Sequence, residues 1–267
     1  MKELYSVPVS EALAVFPSYF EGREAVGNHF LFVPKGFKAE FFVSQPVALE
    51  VYLSKGSSLE LKIAPEVDGA YNLVAYLEKD ASLKRRYKGC KKSAMTLESR
   101  YTLKKGARLF HHSWTEAVDK TEEKIVATIE GEGVEVDLIG GWHLTDREMI
   151  HVNALVEHKA AYARSNQLFK GVIEESAFSS FEGSIYVAKG AHKTESFQRN
   201  NNCVFGAAQA KTAPGIQVFH DDVKASHGAT IAKPSKEDLF YLVSRGISEE
   251  RAKKLLIEAF LNEVRAL

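Results

Sequence analysis

The chain has 267 residues, of which 45% are hydrophobic and 26% charged, and its 35 basic and 35 acidic side chains cancel. This composition fits one large domain with a substantial core and excludes disorder over most of the length. A formal charge of zero argues against nucleic acid as a partner, since phosphate neutralisation dominates that affinity.

Residues 1–27 read as a short helical or irregular segment: Ser10 precedes an apolar stretch over 11–16 that Pro17 stops. Residues 28–233 read as strands. Apolar residues alternate in bursts such as Leu59-Glu60-Leu61-Lys62-Ile63 and Val134-Glu135-Val136-Asp137-Leu138, the period that half-buries a strand. A repeat runs through this region. Tyr52-Leu53-Ser54-Lys55-Gly56, Tyr76-Leu77-Glu78-Lys79-Asp80 and Tyr101-Thr102-Leu103-Lys104-Lys105-Gly106 share a lysine-marked turn that returns after 24 and then 26 residues, with a weaker echo at Lys189-Gly190. Such a return suits the stacked coils of a β-solenoid, each burying its inner face against its neighbours. An antiparallel sandwich, whose hairpins also place turns at short intervals, stays open on periodicity alone.

The stretch 234–267 changes character. Ser235 with Asp238 has capping-box spacing, Leu239, Phe240, Leu242 and Val243 follow, and Gly246 closes a first helix. Ser248 opens a second, with Glu249 and Glu250 in its first turn and Ala252, Leu255, Leu256, Ala259 and Phe260 as its apolar stripe.

Two cysteines, Cys90 and Cys203, lie far apart, which excludes a disulfide framework and a four-cysteine zinc site. Cys203 precedes apolar residues and reads as a small hydrophobe of a buried strand; Cys90 sits among lysines and is the better reactive thiol, though first an incidental surface one. The basic run Lys84, Arg85, Arg86, Lys88, Lys91, Lys92 reads as a phosphate-binding surface or, more commonly, as a solvated strand face or guarded sheet edge. His220, Asp222 and His227 form the densest group with metal-ligand chemistry: on a strand His220 and Asp222 point the same way. The plainer reading makes Asp221 and Asp222 turn caps and His220 a solvated ring. His111 and His112 face opposite sides of a strand and do not ligate together. No apolar run reaches the ~20 residues of a membrane span, and the start Met1-Lys2-Glu3-Leu4-Tyr5 has no signal-peptide pattern, so the expected location is the cytoplasm, off the membrane.

Asp221-Asp222-Val223-Lys224-Ala225-Ser226-His227-Gly228-Ala229-Thr230, followed by Leu239-Phe240-Tyr241-Leu242-Val243-Ser244-Arg245-Gly246-Ile247-Ser248, resembles the C-terminal signature of the SufB/SufD family, which assembles iron–sulfur clusters. Phe181 to Thr194, Ala207 to Pro214 and Glu157 to Gly171 are similar to further parts of that family, so the specific likeness covers about 157 to 267. The resemblance implies a right-handed parallel β-helix, a single-stranded β-solenoid over 28–233. It also implies C-terminal helices that dock a SufC-like ABC ATPase, and pairing of the β-helix with a SufB-like subunit or a second copy of itself. SufB-like members resemble His-Glu-Ala-Thr where this chain has His227-Gly228-Ala229-Thr230. SufD-like members often carry cysteine at the position of Ala225, and the functional cysteine of SufB-like members falls near Ala208. The site is thus closer to SufD-like, and only His227 carries over cleanly as a ligand to iron or a nascent cluster, with His220 and Asp222 as weaker candidates.

The resulting expectation is a scaffold subunit rather than an enzyme. It binds no cofactor alone and meets iron or an iron–sulfur cluster transiently in the complex. Phe240, Tyr241, Leu242, Arg245 and Ile247 would touch the ATPase. The helices are expected to cover the end of the solenoid as well. The alternatives are a β-helix carbohydrate lyase or hydrolase and a homo-oligomeric structural protein without metal.

Overall fold

The computed structural model describes residues 5–8, 28–89 and 94–265. The expected helix over 11–16 and Cys90 lie outside them. The elements in chain order begin β1 (Tyr5–Pro8), β2 (His29–Val33), β3 (Lys38–Val43), β4 (Val47–Leu53), β5 (Ser58–Ile63), β6 (Gly69–Leu77), β7 (Ser82–Gly89), β8 (Ala94–Leu103) and β9 (Arg108–Glu116). They continue β10 (Lys120–Ile129), β11 (Glu135–Leu144), β12 (Met149–His158), β13 (Arg164–Ile173), β14 (Phe178–Val187), β15 (Glu195–Val204), β16 (Gln209–Val218), β17 (Lys224–Ala232), α1 (Lys236–Ser244) and α2 (Glu249–Arg265).

Successive strands alternate between two sheets. One runs β1-β2-β4-β6-β8-β10-β12-β14-β16 and the other β17-β15-β13-β11-β9-β7-β5-β3. Neighbours are parallel throughout, apart from β1, which lies antiparallel on β2 with Tyr5 opposite Phe32. The chain is therefore a parallel β-solenoid, and the antiparallel sandwich is excluded. Alternate residues point inward, as in β6, where Tyr71, Leu73, Ala75 and Leu77 are buried. Together with Leu61, Leu83, Leu109 and Leu138 from the facing sheet they form one continuous core.

The lysine-marked turns stack along one edge. Gly56 N donates to Lys79 O at 2.9 Å, Asp80 N to Lys105 O at 2.9 Å and Gly106 N to Glu132 O at 2.9 Å. Each of these donors has positive φ (64° at Gly56, 60° at Asp80, 67° at Gly106), the left-handed conformation that explains the Gly or Asp after the lysine. The coil is not of constant length. Phe32 stacks on Tyr52, Tyr52 on Tyr76, Tyr76 on Thr102, Thr128 on Glu157 and Tyr186 on Gln217, so the step grows from 20 residues to 24, 26, 29 and 31. Strands lengthen in parallel, from five residues in β2 to ten in β16. That drift is why the lysine repeat fades after Lys105.

The helices correct one expectation. α2 does not cover the end of the solenoid; it lies across the outer face of the second sheet, on β11 and β13. Ile257, Leu261 and Val264 pack there against Trp114, Ile139, Leu168 and Val172. The middle of these strands is buried on both faces, with Ile139, Leu168 and Val172 supplying apolar contacts outside, and Gly141 lets the helix come close: a Cβ there would lie 2.7 Å from Val264 and 2.8 Å from Trp114. The buried stripe is also rotated from the expected one, since Ala252, Ile257, Leu261 and Val264 are buried while Leu255 and Ala259 are exposed. Ion pairs flank the seat: Lys170–Glu263 at 3.1 Å, Arg265–Glu116 at 3.3 Å, and Lys253–Glu174, whose carboxylate also hydrogen-bonds His143 Nε2 at 2.8 Å.

Candidate functional site

The solenoid ends on its widest coil. β16 and β17 are the last strands of their sheets, so among the described residues no further coil stacks on them. Inner positions that would be buried one coil earlier are open here. Ser196, Gln198, Asn200 and Asn202 face inward on β15 and are buried; opposite them on β17 stand Ala225, His227, Ala229 and Ile231. His227 thus belongs to an inward-facing row, on a strand whose inner face is uncovered, and is exposed for that reason. Elsewhere on the last coil Val218, Phe219 and Ile231 are exposed at 40%, 51% and 49%.

The row that ends on His227 is polar from Arg85 onward except at Leu138. Beneath His227 lie Gln198 and Gln167, then Leu138, His111 and Arg85. Gln198 Nε2 donates to Gln167 Oε1 at 3.1 Å, and Ser165 and Ser196 share a hydrogen bond of 2.6 Å. Asn202 Nδ2 donates to Asn200 Oδ1 at 2.7 Å, so two of the three asparagines at 200–202 form an internal ladder. Asn201 points outward, where Thr230 Oγ1 donates to it at 3.0 Å.

His220 and Asp222 are elsewhere. They sit in the turn between β16 and β17 rather than on a strand, and do not share a face with His227. His220 Nδ1 accepts from Asp222 N at 3.0 Å, and the Asp222 carboxylate pairs with Lys193 at 2.8 Å. The hydrogen bond from Lys193 is the largest influence that lowers the Asp222 pKa. Among the described residues no three His, Cys, Asp or Glu side chains converge as a metal site. Cys203 is half-buried on the outer face of β15 and lines a cleft of about 280 Å³ with Phe205, Leu256 and Phe260; burial pushes its thiol up.

Sequence reasoning missed a charged cluster inside the solenoid. Arg85, read as part of a basic surface run, faces inward and is 1% exposed. Its Nη1 donates to Ser113 Oγ at 2.7 Å and lies 3.4 Å from Glu123 Oε1. His111 faces Glu123 through Nε2 at 3.2 Å and meets the Tyr101 hydroxyl through Nδ1 at 2.8 Å. Desolvation, then the Arg85 charge, lowers the His111 pKa to about 4. Burial would raise Glu123, but the His111 hydrogen bond and the Arg85 charge outweigh it and hold it at about 2. The cluster is closed from solvent, so its role is structural. Glu123 fell on an ordinary strand position in the sequence, and only the register shows that it meets Arg85. His112 faces the other way, as alternation requires, and lies 2.7 Å from Val264 O at the end of α2.

The helix pair presents a second surface. The Ser235 hydroxyl caps α1 by accepting from Asp238 N at 3.0 Å, and Gly246, at φ 85°, ends it. α1 packs on α2 but buries none of its own residues. Phe240 is 74% and Tyr241 57% exposed, with Val243 and Leu255 also open. The Arg245 guanidinium lies 5.2 Å from the centre of the Tyr241 ring. Leu242 and Ile247 are half-buried.

Residues 49–260 match the family model described as the SufBD core domain of the SUF system for iron–sulfur cluster assembly. The chain is 37% identical over 118 residues to the iron–sulfur cluster assembly protein SufD of Escherichia coli, a stretch covering 44% of this chain and 28% of that protein. It is 31% identical over 171 residues to an iron–sulfur cluster assembly SufBD family protein of Synechocystis, covering 62% of this chain and 35% of that one. A SufBD family protein of Mycobacterium leprae is 31% identical over 143 residues, covering 50% and 36%. The matched stretches thus span roughly a third of these relatives' own length. With the greater part of the solenoid, α1 and most of α2 inside the match, the chain belongs to the SufBD core family of iron–sulfur cluster assembly proteins.

Proposed function

We propose that the chain is a SufD-like scaffold subunit of an iron–sulfur cluster assembly complex in the cytoplasm, and not itself an enzyme. The observation that carries this reading is the uncovered last coil. Its two free strand edges, with Val218, Phe219 and Ile231 exposed beside them, form the surface an unpaired coil presents to another coil. A SufB-like subunit is the proposed occupant, and a second copy of this chain is the alternative that the test separates. His227 opens onto that surface. A neutral imidazole ligates iron, and a single one contributes a ligand to a cluster whose other ligands come from across the interface. Iron and sulfide are then cargo of the complex, not a resident cofactor of this chain. The exposed aromatics of α1 and the half-buried Leu242 and Ile247 form the proposed seat of a SufC-like ABC ATPase, and α2 ties that seat to the second sheet.

The test is co-expression of the tagged chain with a SufB-like subunit and a SufC-like ATPase, followed by pull-down and native mass spectrometry. The proposal expects all three chains in one complex, and loss of the SufB-like chain alone from Ile231→Arg, which places a charge on the open coil. Recovery of only a dimer of the tagged chain supports the second-copy alternative. A monomer that captures neither chain contradicts the reading.

A further inference from the structure

The basic run of β7 finds no role in the pairing coil or the helix seat, yet it lines a cleft of about 400 Å³ on the outer face of the second sheet. The walls are Phe42 of β3, Lys62 of β5, Arg86 and Lys88 of β7, His112 and Trp114 of β9, and Arg265 at the end of α2. We propose that this cleft binds a small phosphorylated ligand with a planar ring, a mononucleotide in chemical class.

Four observations converge. The volume lies in the range of small-molecule sites. The lining is cationic: it carries Lys62, Arg86, Lys88 and Arg265 and no carboxylate; Lys62, Arg86 and Arg265 pair with Glu40, Glu60 and Glu116, while Lys88 makes no ion pair among the described residues. A planar surface stands at the mouth, since Phe42 is 60% exposed beside these cations. Finally, the floor is aromatic: Trp114 lines the cleft and is 3% exposed, so the site is rigidly backed. Cationic side chains are what a phosphate requires, and an exposed ring stacks a base.

Of the two plainer accounts, a solvated strand face agrees with the outward positions of Lys84, Arg86 and Lys88 and is the alternative the test separates, whereas lysines guarding a sheet edge do not fit the topology. The edge strand is β3, which places Phe42 rather than a lysine opposite Lys62, whereas Arg86 and Lys88 lie on β7, two strands in. The walls also curve, because α2 rises beside Trp114 with Arg265 over its ring at 5.2 Å, which favours a small ligand over a flat macromolecular surface.

The test titrates ADP into the purified full chain at low salt, with inorganic phosphate and adenosine as separate arms. Binding is read by calorimetry and by tryptophan fluorescence. Trp114 lines the cleft and Trp142, the other tryptophan, is buried inside the solenoid. We expect saturable ADP binding, with phosphate and adenosine each weaker by ~10-fold or more. Lys88→Gln should weaken ADP by ~5-fold or more, and Phe42→Ala should weaken ADP while leaving phosphate binding unchanged. Lys124→Gln, a cation on the outer face of the other sheet, should change nothing. Circular dichroism checks that each variant is folded, as expected for side chains this exposed. The proposal is overturned by absence of saturable ADP binding, by phosphate binding as tightly as ADP, or by equal ADP affinity in Lys88→Gln.

Discussion

Replacing Glu123 by Gln isolates the charge of the buried cluster. The amide keeps the shape and an oxygen that still accepts from Ser113, which donates to Glu123 Oε1 at 2.5 Å, and from His111. What disappears is the negative charge, leaving the Arg85 guanidinium, 1% exposed, without a counter-ion inside the solenoid. Removing one partner of a buried pair costs about 3–5 kcal/mol, because the remaining charge stays desolvated. His111 does not compensate: it is already neutral, and a proton there would add a second positive charge. The double variant Arg85→Met with Glu123→Gln removes both charges, so it should recover about 2 kcal/mol or more relative to the sum of the single variants. Equilibrium urea unfolding of the four proteins, with comparable m-values, gives the cycle. A loss under about 1 kcal/mol for Glu123→Gln, or additive single variants, would refute the claim that the pair acts as a desolvated unit.

The buried histidines set the response to acid. Desolvation lowers His111 and His158 from 6.5 to about 4, so an unfolded chain takes up their protons below pH 6.5 while the folded one stays neutral. Their contribution is complete above 6.5 and is lost as pH falls towards 4, by up to about 3 kcal/mol per ring. Glu123, lowered from 4.5 to about 2, extends the loss below pH 4.5. Urea midpoints should therefore fall steadily between about pH 7 and pH 5, and a flat profile contradicts this assignment. At the helix seat, Tyr241→Ala or Arg245→Ala should weaken ATPase binding by ~1–3 kcal/mol with little change in melting temperature, measured by calorimetric titration and thermal scans of the same proteins. A lowered melting temperature with unchanged binding would mean that α1 only supports the fold. Leu261→Ala, truncating a side chain 1% exposed under α2, should cost about 2–4 kcal/mol. It should also speed amide exchange in α2 ahead of the strands; uniform exchange throughout would show that helix and solenoid open as one unit.

The solenoid was legible because two local signals agreed. Alternation in Leu59 to Ile63 marks a half-buried strand, and the lysine turns need positive φ at similar steps of 24 and 26 residues. The helix pair was legible from the Ser235 cap and the Gly246 stop. The docking of α2 was not, because the outer face of β11 alternates Glu135, Asp137, Ile139, Gly141 and His143, and so mixed a face does not announce that a helix covers its middle. Arg85 was misread for a related reason. In Lys84-Arg85-Arg86 the charges look alike, and only strand alternation, with Glu123 arriving 38 residues later, turns the middle one inward. His220, Asp222 and His227 are close in sequence, yet the turn separates them: the first two hold the corner, and His227 opens onto the last coil. The row from Arg85 to His227 needed the register of six strands, which no single segment encodes.

The central claim is that His227 lends its imidazole to a cluster held across the open coil. The most direct measurement is the iron and sulfide content of the three-chain complex after cluster assembly, compared between the native chain and His227→Ala at equal subunit recovery. Because His227 is exposed and packs under no further coil, the substitution should leave folding and assembly intact. The account predicts an intact complex with clearly reduced iron and sulfide. An intact complex that carries the same iron and sulfide without His227 would contradict it.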